Sequence, residues 1–353
     1  MCGYFTGRLA ALNEITKVSA VVEIDAIITA LTGAQEQQAA LATLVAVEGS
    51  SYRRPGARLL MLSDGTRVGS ISGGCLEEDI LLRATQVLKS GQSEIVIYDT
   101  TNENDLVWGV GLGCRGVVQI FIEPIPQNRP PWVAMLAKNR TANRATPLAV
   151  VYGKDAGEFR GTHLSDSVPR QLSGAGIFLE TVVALPLLVL FGAGDDAQPV
   201  VQLAKATGWH VTVVDSRATY ATVARFPQAD SVVVASAEES AERLRLDDET
   251  HIVVMTHRYA EDVKLLSILL TRPLAYLGVL GPRKRTDRIL TQLDENGFVP
   301  RTETLERLCA PVGLDLGATT PETIALSILA ELQCSLTGRT AIHLRDRAAP
   351  IHG

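Results

Sequence analysis

Two cysteines stand beside glycines, and a thiol in such a setting can act as a nucleophile or as a metal ligand. Cys75 follows Gly73 and Gly74 at the predicted start of a helix. The positive end of a helix dipole lowers the pKa of a thiol, and the thiolate is the reactive form. Cys114 lies in a second glycine-rich segment, where small neighbours leave a sulfur atom accessible. Small buried cysteines are the alternative, but two such settings favour a site that contains both thiols.

The loop over residues 50–56 combines hydroxyl groups, two arginines and a Pro-Gly turn, which is typical of an anion clamp. Arg54 is the candidate binding residue, because a guanidinium group can donate two parallel hydrogen bonds to a phosphate. A solvated surface loop explains the same composition nearly as well. The hypothesis is an anion site at Arg54, in the same half of the chain as the two cysteines.

A glycine loop in the second half has the spacing of a phosphate-binding turn. Gly192 and Gly194 follow an apolar run, residues 187–191, and precede a helical pattern. In that context Gly192 permits a tight turn and Gly194 lets the backbone approach a phosphate. The helix N-terminus that follows offers N–H groups and a partial positive charge to an anion. A tight turn without a ligand is the alternative.

The acidic residues around this loop support two opposite interpretations. Asp215 ends the next strand, 21 positions after Gly194, where a carboxylate can hold a ribose hydroxyl. Asp195 and Asp196 follow the loop directly and would repel a pyrophosphate. The spacing therefore predicts a phosphate site whose ligand stays open.

Further polar residues follow the later strands of this half. His257 comes after the fourth predicted strand, and Gly281, Arg283 and Lys284 come after the fifth. Ligands of open α/β sheets bind outside the carboxyl ends of the strands. These residues are therefore expected to converge with the glycine loop on one anionic ligand. A structural histidine and a solvated helix start are the alternatives.

The pattern of helices and strands around the cysteines predicts a smaller N-terminal α+β domain with a mixed sheet, over residues 1–127. Residues 128–184 are predicted to add a helix, a strand and a loop-rich linker at 153–176. The predicted helices are 24–31, 75–88 and 132–137, and the predicted strands are 41–47, 57–62, 68–72, 95–98, 117–122 and 147–152.

From residue 185 to 353 strands alternate with helices, which predicts a Rossmann-like doubly wound parallel sheet and an α/β fold class. His210 and His251, at strand starts, are predicted to be packing or solvent residues. Thr320 and Pro321 predict the beginning of a helix, as N-cap and first residue. The predicted strands are 187–191, 210–214, 231–235, 251–255 and 275–280.

Composition limits the classes of protein that these sites can belong to. The chain of 353 residues has a net charge of −6, which argues against nucleic acid as the default partner. Its five cysteines form no CxxC pair, so neither a zinc ribbon nor a thioredoxin-like motif is expected. No signal peptide is recognised in residues 1–14, and the longest apolar run, 182–191, is too short to span a bilayer. A cytoplasmic protein without a membrane partner is expected.

Several short motifs occur in a fixed order over roughly residues 40–332. In the first half they are Glu48-Gly49-Ser50-Ser51, Arg54-Pro55-Gly56, Ser72-Gly73-Gly74-Cys75-Leu76-Glu77 and Gly111-Leu112-Gly113-Cys114. In the second half they are Gly192-Ala193-Gly194, Val213-Val214-Asp215-Ser216-Arg217, Arg225-Phe226-Pro227, Met255-Thr256-His257, Gly278-Val279-Leu280-Gly281 and Ala310-Pro311-Val312-Gly313-Leu314-Asp315. Together they resemble the XdhC/CoxI family, the first set its N-terminal domain and the second set its C-terminal Rossmann domain.

The resemblance implies an accessory protein for molybdenum hydroxylases such as xanthine dehydrogenase. Such a protein would bind the molybdenum cofactor (molybdopterin), support its sulfuration and pass it to the apo-enzyme. A cysteine desulfurase and the apo-hydroxylase would be its partners, and a homodimer is expected. Cys75, with Cys114, would handle sulfur, and Cys75 would lie near the metal. Asp195 and Arg115 depart from the family pattern, in which a histidine and a glycine are common.

Two other functions follow from the glycine loop taken with Asp215. The first is an NAD(P)-dependent oxidoreductase, in which His257 would serve as the catalytic acid. The second is a non-catalytic regulator that senses a nucleotide. Because no convincing acid stands beside a hydride site, a cofactor chaperone is favoured over a stand-alone enzyme.

Overall fold

The computed structural model describes residues 23–34, 36–49, 51–74, 76–99, 116–169, 172 and 176–348. Among them the chain divides into two compact units, one that ends at Ala184 and one that begins at Leu185. Cys75, Cys114 and Arg115 lie outside the described residues. The predicted domain boundary at residue 127 stays a prediction.

The N-terminal unit is built on a five-stranded sheet of order β3-β2-β1-β5-β4. All four of its strand pairs are antiparallel, so the expectation of a mixed sheet is wrong. The physical reason is the short connections, such as the four residues between β2 and β3, which can only turn the chain back. Its elements are α1 (23–33), β1 (Ala39–Gly49), β2 (Arg58–Leu62), β3 (Arg67–Gly69), α2 (Glu77–Ser90), β4 (Glu94–Asp99) and β5 (Gly116–Ile125).

The two faces of this sheet have different covers, as the alternation of side chains along a strand requires. Alternate residues such as Leu44 and Ile120 pack with Ile80 of α2 on one face. On the other face Phe121 packs with Val150 of a second, three-stranded sheet. That sheet has the order β7-β6-β8 and follows α3; the elements are α3 (Pro131–Thr141), β6 (Thr146–Val151), β7 (Gly161–Leu164) and β8 (Ile177–Val182).

The loop-rich linker predicted at 153–176 is therefore only partly loop. Its middle forms β7, which pairs antiparallel with β6. The four residues of β7 are too few and too polar for a period-2 pattern to reveal them. Thr162 of β7 instead donates hydrogen bonds from its N–H and its hydroxyl to the buried carboxylate of Glu123 on β5. Burial raises the pKa of Glu123.

A buried ion pair anchors the arginine loop of this unit. Arg58, at the start of β2, donates to Glu180 of β8 and to the carbonyl oxygen of Gly56. Its side chain is almost completely buried, so either partner left alone would be a costly buried charge. The pair therefore fixes the end of the 50–56 loop against the second sheet.

The C-terminal unit has the predicted Rossmann-like architecture, and the α/β fold class is confirmed. Its six strands are parallel in the order β11-β10-β9-β12-β13-β14. The strands are β9 (Leu187–Phe191), β10 (His210–Asp215), β11 (Ser231–Val234), β12 (Thr250–Val254), β13 (Tyr276–Val279) and β14 (Leu308–Cys309).

Helices cover both faces of the parallel sheet. Leu188 and Leu190 of β9 pack with α4 and α9, whereas Val189 and Phe191 pack with α5, α6 and α7 on the opposite face. The helices are α4 (Ala197–Ala206), α5 (Ala237–Arg243), α6 (Tyr259–Leu269), α7 (Arg283–Glu295), α8 (Thr302–Glu306) and α9 (Pro321–Thr337). Within the described part of the chain, every helix is too short or too polar to cross a lipid bilayer.

Two local predictions in this unit are confirmed. Thr320 is the N-cap of α9, with a capping box to Thr323, and Pro321 is its first residue. His251 is a packing residue: its ring lies edge-on to Trp209, with centroids 5.0 Å apart, and stacks on Tyr276. Burial lowers the pKa of His251 to about 4, so the imidazole is neutral at pH 7.

Candidate functional site

The glycine loop of the C-terminal unit turns sharply between β9 and α4. Gly192 has a φ of +117°, and a Cβ there would run into the carbonyl group of Met255 at the end of β12. Only glycine meets both demands, because other residues are strained at positive φ. The N–H of Ala193 donates to Asp215 of β10 at 2.9 Å. The loop is thus clamped between the ends of its two neighbouring strands.

Asp215 is engaged within the protein rather than turned toward a ligand. Arg217 donates to its carboxylate from the backbone N–H, from Nε and from Nη2, at 2.7–2.9 Å, and only 1% of the side chain is exposed. Burial alone would raise the pKa of Asp215, but the hydrogen bonds from Arg217 and Ala193 outweigh it and lower the pKa to about 2. A ribose hydroxyl would have to displace one of these donors.

The two acids that follow the loop each have a cationic or ionisable partner. Asp195 pairs with Arg225 at 2.6 Å, and Asp196 pairs with His257 Nε2 at 2.7 Å. His257 has a φ of +58°, a conformation that non-glycine residues adopt rarely and mostly where structure constrains them. The pairing with Arg225 offsets the repulsion that Asp195 would exert on an anion, and the hydrogen bond with His257 engages Asp196 within the protein.

A small, solvent-open pocket lies at the carboxyl ends of β9, β10 and β12. Arg258 crosses it, donating to Ser216 at 3.0 Å and lying 3.8 Å from Asp215. Its Nε is buried and has no hydrogen-bond partner among the described residues. The polar lining consists of Asp215, Ser216, Ser236, Thr256, Arg258 and Glu261.

The basic residues that follow the fifth strand differ in exposure and in their partners. Arg283 and Lys284 are the first residues of α7 and are exposed. Within the described chain, no ion pair or hydrogen bond joins them to the glycine loop. Gly281, just before them, has a φ of +129°. Arg285 instead pairs with the buried carboxylate of Asp262 on α6, a structural clamp that the sequence pattern did not separate from its neighbours.

In the N-terminal unit, one carboxylate organises the segment on both sides of residue 75. Glu77 accepts hydrogen bonds from the N–H groups of Ile71, Ser72 and Gly74, at 2.7–3.1 Å, and from the hydroxyls of Ser70 and Ser72. Burial alone would raise the pKa of Glu77, but these hydrogen bonds lower it to about 2. The 70–77 loop is therefore wound around an ionised side chain.

A second hydrogen bond fixes the other neighbour of Cys75. The N–H of Leu76 donates to Ser72 Oγ at 2.8 Å, while the N–H of Gly74 is held by Glu77. Cys75 itself is outside the described residues, but both residues that flank it are held. The helix begins at Glu77 rather than at residue 75, and its first turn is acidic.

The arginine loop contacts the described residues of the 70–77 loop. Glu23 of α1 accepts a hydrogen bond from Arg53 at 2.6 Å and another from the N–H of Ser70 at 2.7 Å. The ring of Tyr52 lies against Gly73, where a Cβ would come within 2.9 Å of it. Burial raises the pKa of Glu23. Glu23 and Tyr52 thus join the arginine loop, with the exposed Arg54, to the 70–77 loop.

Sequence reasoning missed Glu23, Tyr52 and Glu77 as functional candidates. Glu77 was visible only as the last residue of a motif, since its partners precede it by three to seven positions. Glu23 lies 47 positions from Ser70, and no local pattern reports such a contact. Asp195 and Arg225 are 30 positions apart, so no local sequence pattern indicates that they pair.

The two described cysteines have a different environment. Both Cys309 and Cys334 are free thiols. Burial, and then the charge of Glu331, raises the pKa of each, which keeps the thiols protonated and poorly reactive. In the part of the chain that the structure covers, no cluster of three or more His, Cys, Asp or Glu side chains is placed to bind a metal.

Comparisons with known proteins agree with the two-unit architecture. The model of the XdhC and CoxI family matches residues 33–99, and that of the XdhC Rossmann domain matches residues 188–332. A probable xanthine dehydrogenase subunit of Bacillus subtilis is 33% identical over 84% of this chain and 93% of its own length. The molybdenum cofactor insertion chaperone PaoD of Escherichia coli is 27% identical, over 83% and 82%.

A crystal structure from Bacillus halodurans, described as a xanthine dehydrogenase, has a similar fold. Its TM-score is 0.74 at 30% sequence identity, and the match covers 91% of this chain and 96% of that one. Near-complete coverage at this identity, together with the two family models, establishes the relationship. The chain belongs to the XdhC and CoxI family.

Proposed function

We propose that this chain is an accessory protein that binds the molybdenum cofactor, supports its sulfuration and delivers it to an apo molybdenum hydroxylase of the xanthine dehydrogenase type. Family membership and the relative named as a molybdenum cofactor insertion chaperone support this function. The observation in this chain that supports it most is the 70–77 loop. Glu77 and Ser72 hold the residues on both sides of Cys75.

The thiols would do the chemistry at this loop. A soft thiolate suits both a soft metal and sulfur transfer, so Cys75 would lie near the metal, and Cys114 would act with it on sulfur. The cofactor itself supplies the molybdenum and its dithiolene sulfurs. Gly74 leaves room for it: among the described residues, nothing lies within 4 Å of where a Cβ at Gly74 would be.

The anionic part of the cofactor would need donors, and each unit, taken by itself, contains candidate donors. In the N-terminal unit Arg54 lies on the loop that Glu23 joins to the 70–77 loop. In the C-terminal unit the candidates are Gly192, Gly194, Asp215, His257, Gly281, Arg283 and Lys284. There, two observations favour an anion at the strand ends. The Nε of Arg258 has no hydrogen-bond partner among the described residues, and Asp195 and Asp196 are already paired with Arg225 and His257.

The residues fit NAD(P) less well. The carboxylate that would hold a ribose hydroxyl is engaged by Arg217 and Ala193, and Arg258 crosses the pocket beside it. An NAD(P)-dependent oxidoreductase and a nucleotide-sensing regulator are therefore the weaker proposals. Titration with NADH, followed by its fluorescence, checks both, since saturable binding at micromolar concentration would support one of them.

Delivery is tested by reconstitution. The protein is co-expressed with the enzymes of cofactor biosynthesis, purified, and mixed with the apo form of a xanthine dehydrogenase-type hydroxylase, with and without a cysteine desulfurase and cysteine. We expect hydroxylase activity to appear with the loaded protein and to increase when the desulfurase is present. Size-exclusion chromatography with light scattering tests the proposed homodimer. Loaded protein that never activates the apo-enzyme would contradict the proposal.

A further inference from the structure

Tyr52 is a large aromatic side chain that stays exposed beside the 70–77 loop. Its exposed fraction is 66%, although its backbone belongs to a loop that is anchored at both ends. We propose that the Tyr52 ring is the stacking platform for the flat heterocycle of the bound pterin. The inference rests on the proposed function and adds to it a residue and a mode of binding.

The position of the ring follows from Gly73. This glycine has a φ of +75°, and a Cβ on it would come within 2.9–3.4 Å of three atoms of the Tyr52 ring. Real Cβ atoms do not approach neighbours at the lower end of this range, so the ring can lie on the backbone only because residue 73 is glycine. The ring therefore contacts the backbone at Gly73, while most of the side chain remains exposed.

The loop that contains Tyr52 is anchored through residues that are close to Tyr52 in sequence. Arg53, the next residue, pairs with Glu23, and Glu23 also binds the N–H of Ser70. Gly56, four residues after Tyr52, is held by the buried Arg58. Because the ring is positioned before any ligand binds, little conformational entropy is lost on stacking.

The surface beside the ring suits a flat ligand. Gly73 and Gly74 have no side chains, and the site of a Cβ at Gly74 opens into empty space among the described residues. The next residue along the chain is Cys75, the proposed thiol. A flat conjugated ring on Tyr52 would therefore lie beside Gly73, which precedes the proposed thiol by two positions, and Arg54 would offer a positive charge for the anionic tail.

Stacking of a heterocyclic base on an aromatic side chain contributes about 1–3 kcal/mol, and it requires the ring but not the hydroxyl. Tyr52→Phe should therefore bind as the wild type does, whereas Tyr52→Ala should bind about tenfold more weakly or worse. Tyr220 offers a matched control in the other unit. It is also partly exposed, but its ring contacts the guanidinium groups of Arg217 and Arg225.

The test uses two readouts on the full chain. The first is the pterin content of wild type, Tyr52→Phe, Tyr52→Ala and Tyr220→Ala after co-expression with cofactor biosynthesis. The second is titration of each apo-protein with pterin-6-carboxylate, whose fluorescence a stacked tyrosine quenches, and with CMP as a nucleobase probe. Circular dichroism confirms that each variant folds.

We expect Tyr52→Ala to lose pterin and quenching, Tyr52→Phe to keep them, and Tyr220→Ala to keep them. Equal affinity of wild type and Tyr52→Ala, or loss in Tyr220→Ala alone, would overturn the assignment of Tyr52 while the proposed function stands. Tighter binding of CMP than of the pterin at Tyr52 would also overturn it. Wild-type protein that never retains pterin would contradict the proposed function, whereas the titration still decides the role of Tyr52.

Discussion

The 70–77 loop and the 192–197 loop both lead from a strand to a helix through glycines, but their acidic residues behave in opposite ways. Glu77 turns inward and accepts hydrogen bonds from its own loop. Asp195 and Asp196 turn outward to Arg225 and His257, and the inner acceptor of that loop is Asp215, from the next strand.

The difference separates two kinds of binding site. The described backbone N–H groups from residue 70 to 74, and that of Leu76, already donate within the protein. The chemistry proposed for this loop therefore relies on side chains, with Cys75 on the loop and Tyr52 beside it as the candidates. In the 192–197 loop, the hydrogen bonds of the described residues leave the N–H groups of Gly194, Asp195 and Asp196 unused. A helix N-terminus with unused donors is suited to an anion.

The sharpest test of the comparison is a matched pair of glycine substitutions. Gly192 and Gly74 have nearly equal φ values, +117° and +123°, but a Cβ at Gly192 meets the backbone of Met255, whereas one at Gly74 meets nothing among the described residues. We expect Gly192→Ala to lower the free energy of unfolding by about 4 kcal/mol, and Gly74→Ala by only about 1–2 kcal/mol. Chemical denaturation measures both, and equal losses would contradict the geometry.

A pH effect should appear in the C-terminal unit because of His251. Its pKa is lowered to about 4 in the folded protein, so the unfolded state binds a proton from pH 6.5 downward while the folded state does not. Stability should therefore fall by about 3 kcal/mol between pH 6.5 and 4. His251→Phe keeps a ring between Trp209 and Tyr276 and should flatten this part of the profile. An unchanged profile in the variant would exclude His251 as the source.

Removal of the Glu77 carboxylate tests how the 70–77 loop is built. Glu77→Ala leaves three backbone N–H groups without their acceptor and should lower the free energy of unfolding by about 2 kcal/mol. Its exposed neighbour Glu78 is the matched control, and Glu78→Ala should change stability by less than about 0.5 kcal/mol. Hydrogen exchange should accelerate at residues 71–74 only in the first variant. Protection that survives there would show that Glu77 does not hold the loop.

The smallest expected effect concerns the outward acids of the 192–197 loop. Asp195→Asn frees Arg225 and removes a negative charge, so inorganic pyrophosphate should bind a few-fold more tightly, with a change in stability below about 1 kcal/mol. The exposed Asp248 of the same unit provides a control of equal charge. Calorimetric titration with pyrophosphate measures the difference. Identical affinities in both variants would mean that no anion binds near Asp195.

The parallel sheet was predictable because apolar strands and periodic helices repeat over the whole C-terminal unit. The second sheet of the N-terminal unit was not, since β7 is short and polar and is fixed by Thr162 and Glu123 rather than by periodicity. Motif spacing pointed to Gly192 and Asp215. It could not reveal that Arg217 closes around Asp215, or that Glu23 brings two loops together, because these contacts depend on side-chain orientation and on distant residues.

The central claim is that the cofactor is held at the 70–77 loop through Cys75, and metal analysis tests it most directly. Molybdenum and pterin per chain are measured in wild type, Cys75→Ala and Cys309→Ala, each co-expressed with cofactor biosynthesis and checked for folding by circular dichroism. Cys309 is the matched control, because its thiol is protonated by burial. We expect Cys75→Ala to lose both molybdenum and pterin while Cys309→Ala keeps them. Unchanged molybdenum and pterin in folded Cys75→Ala would contradict the account.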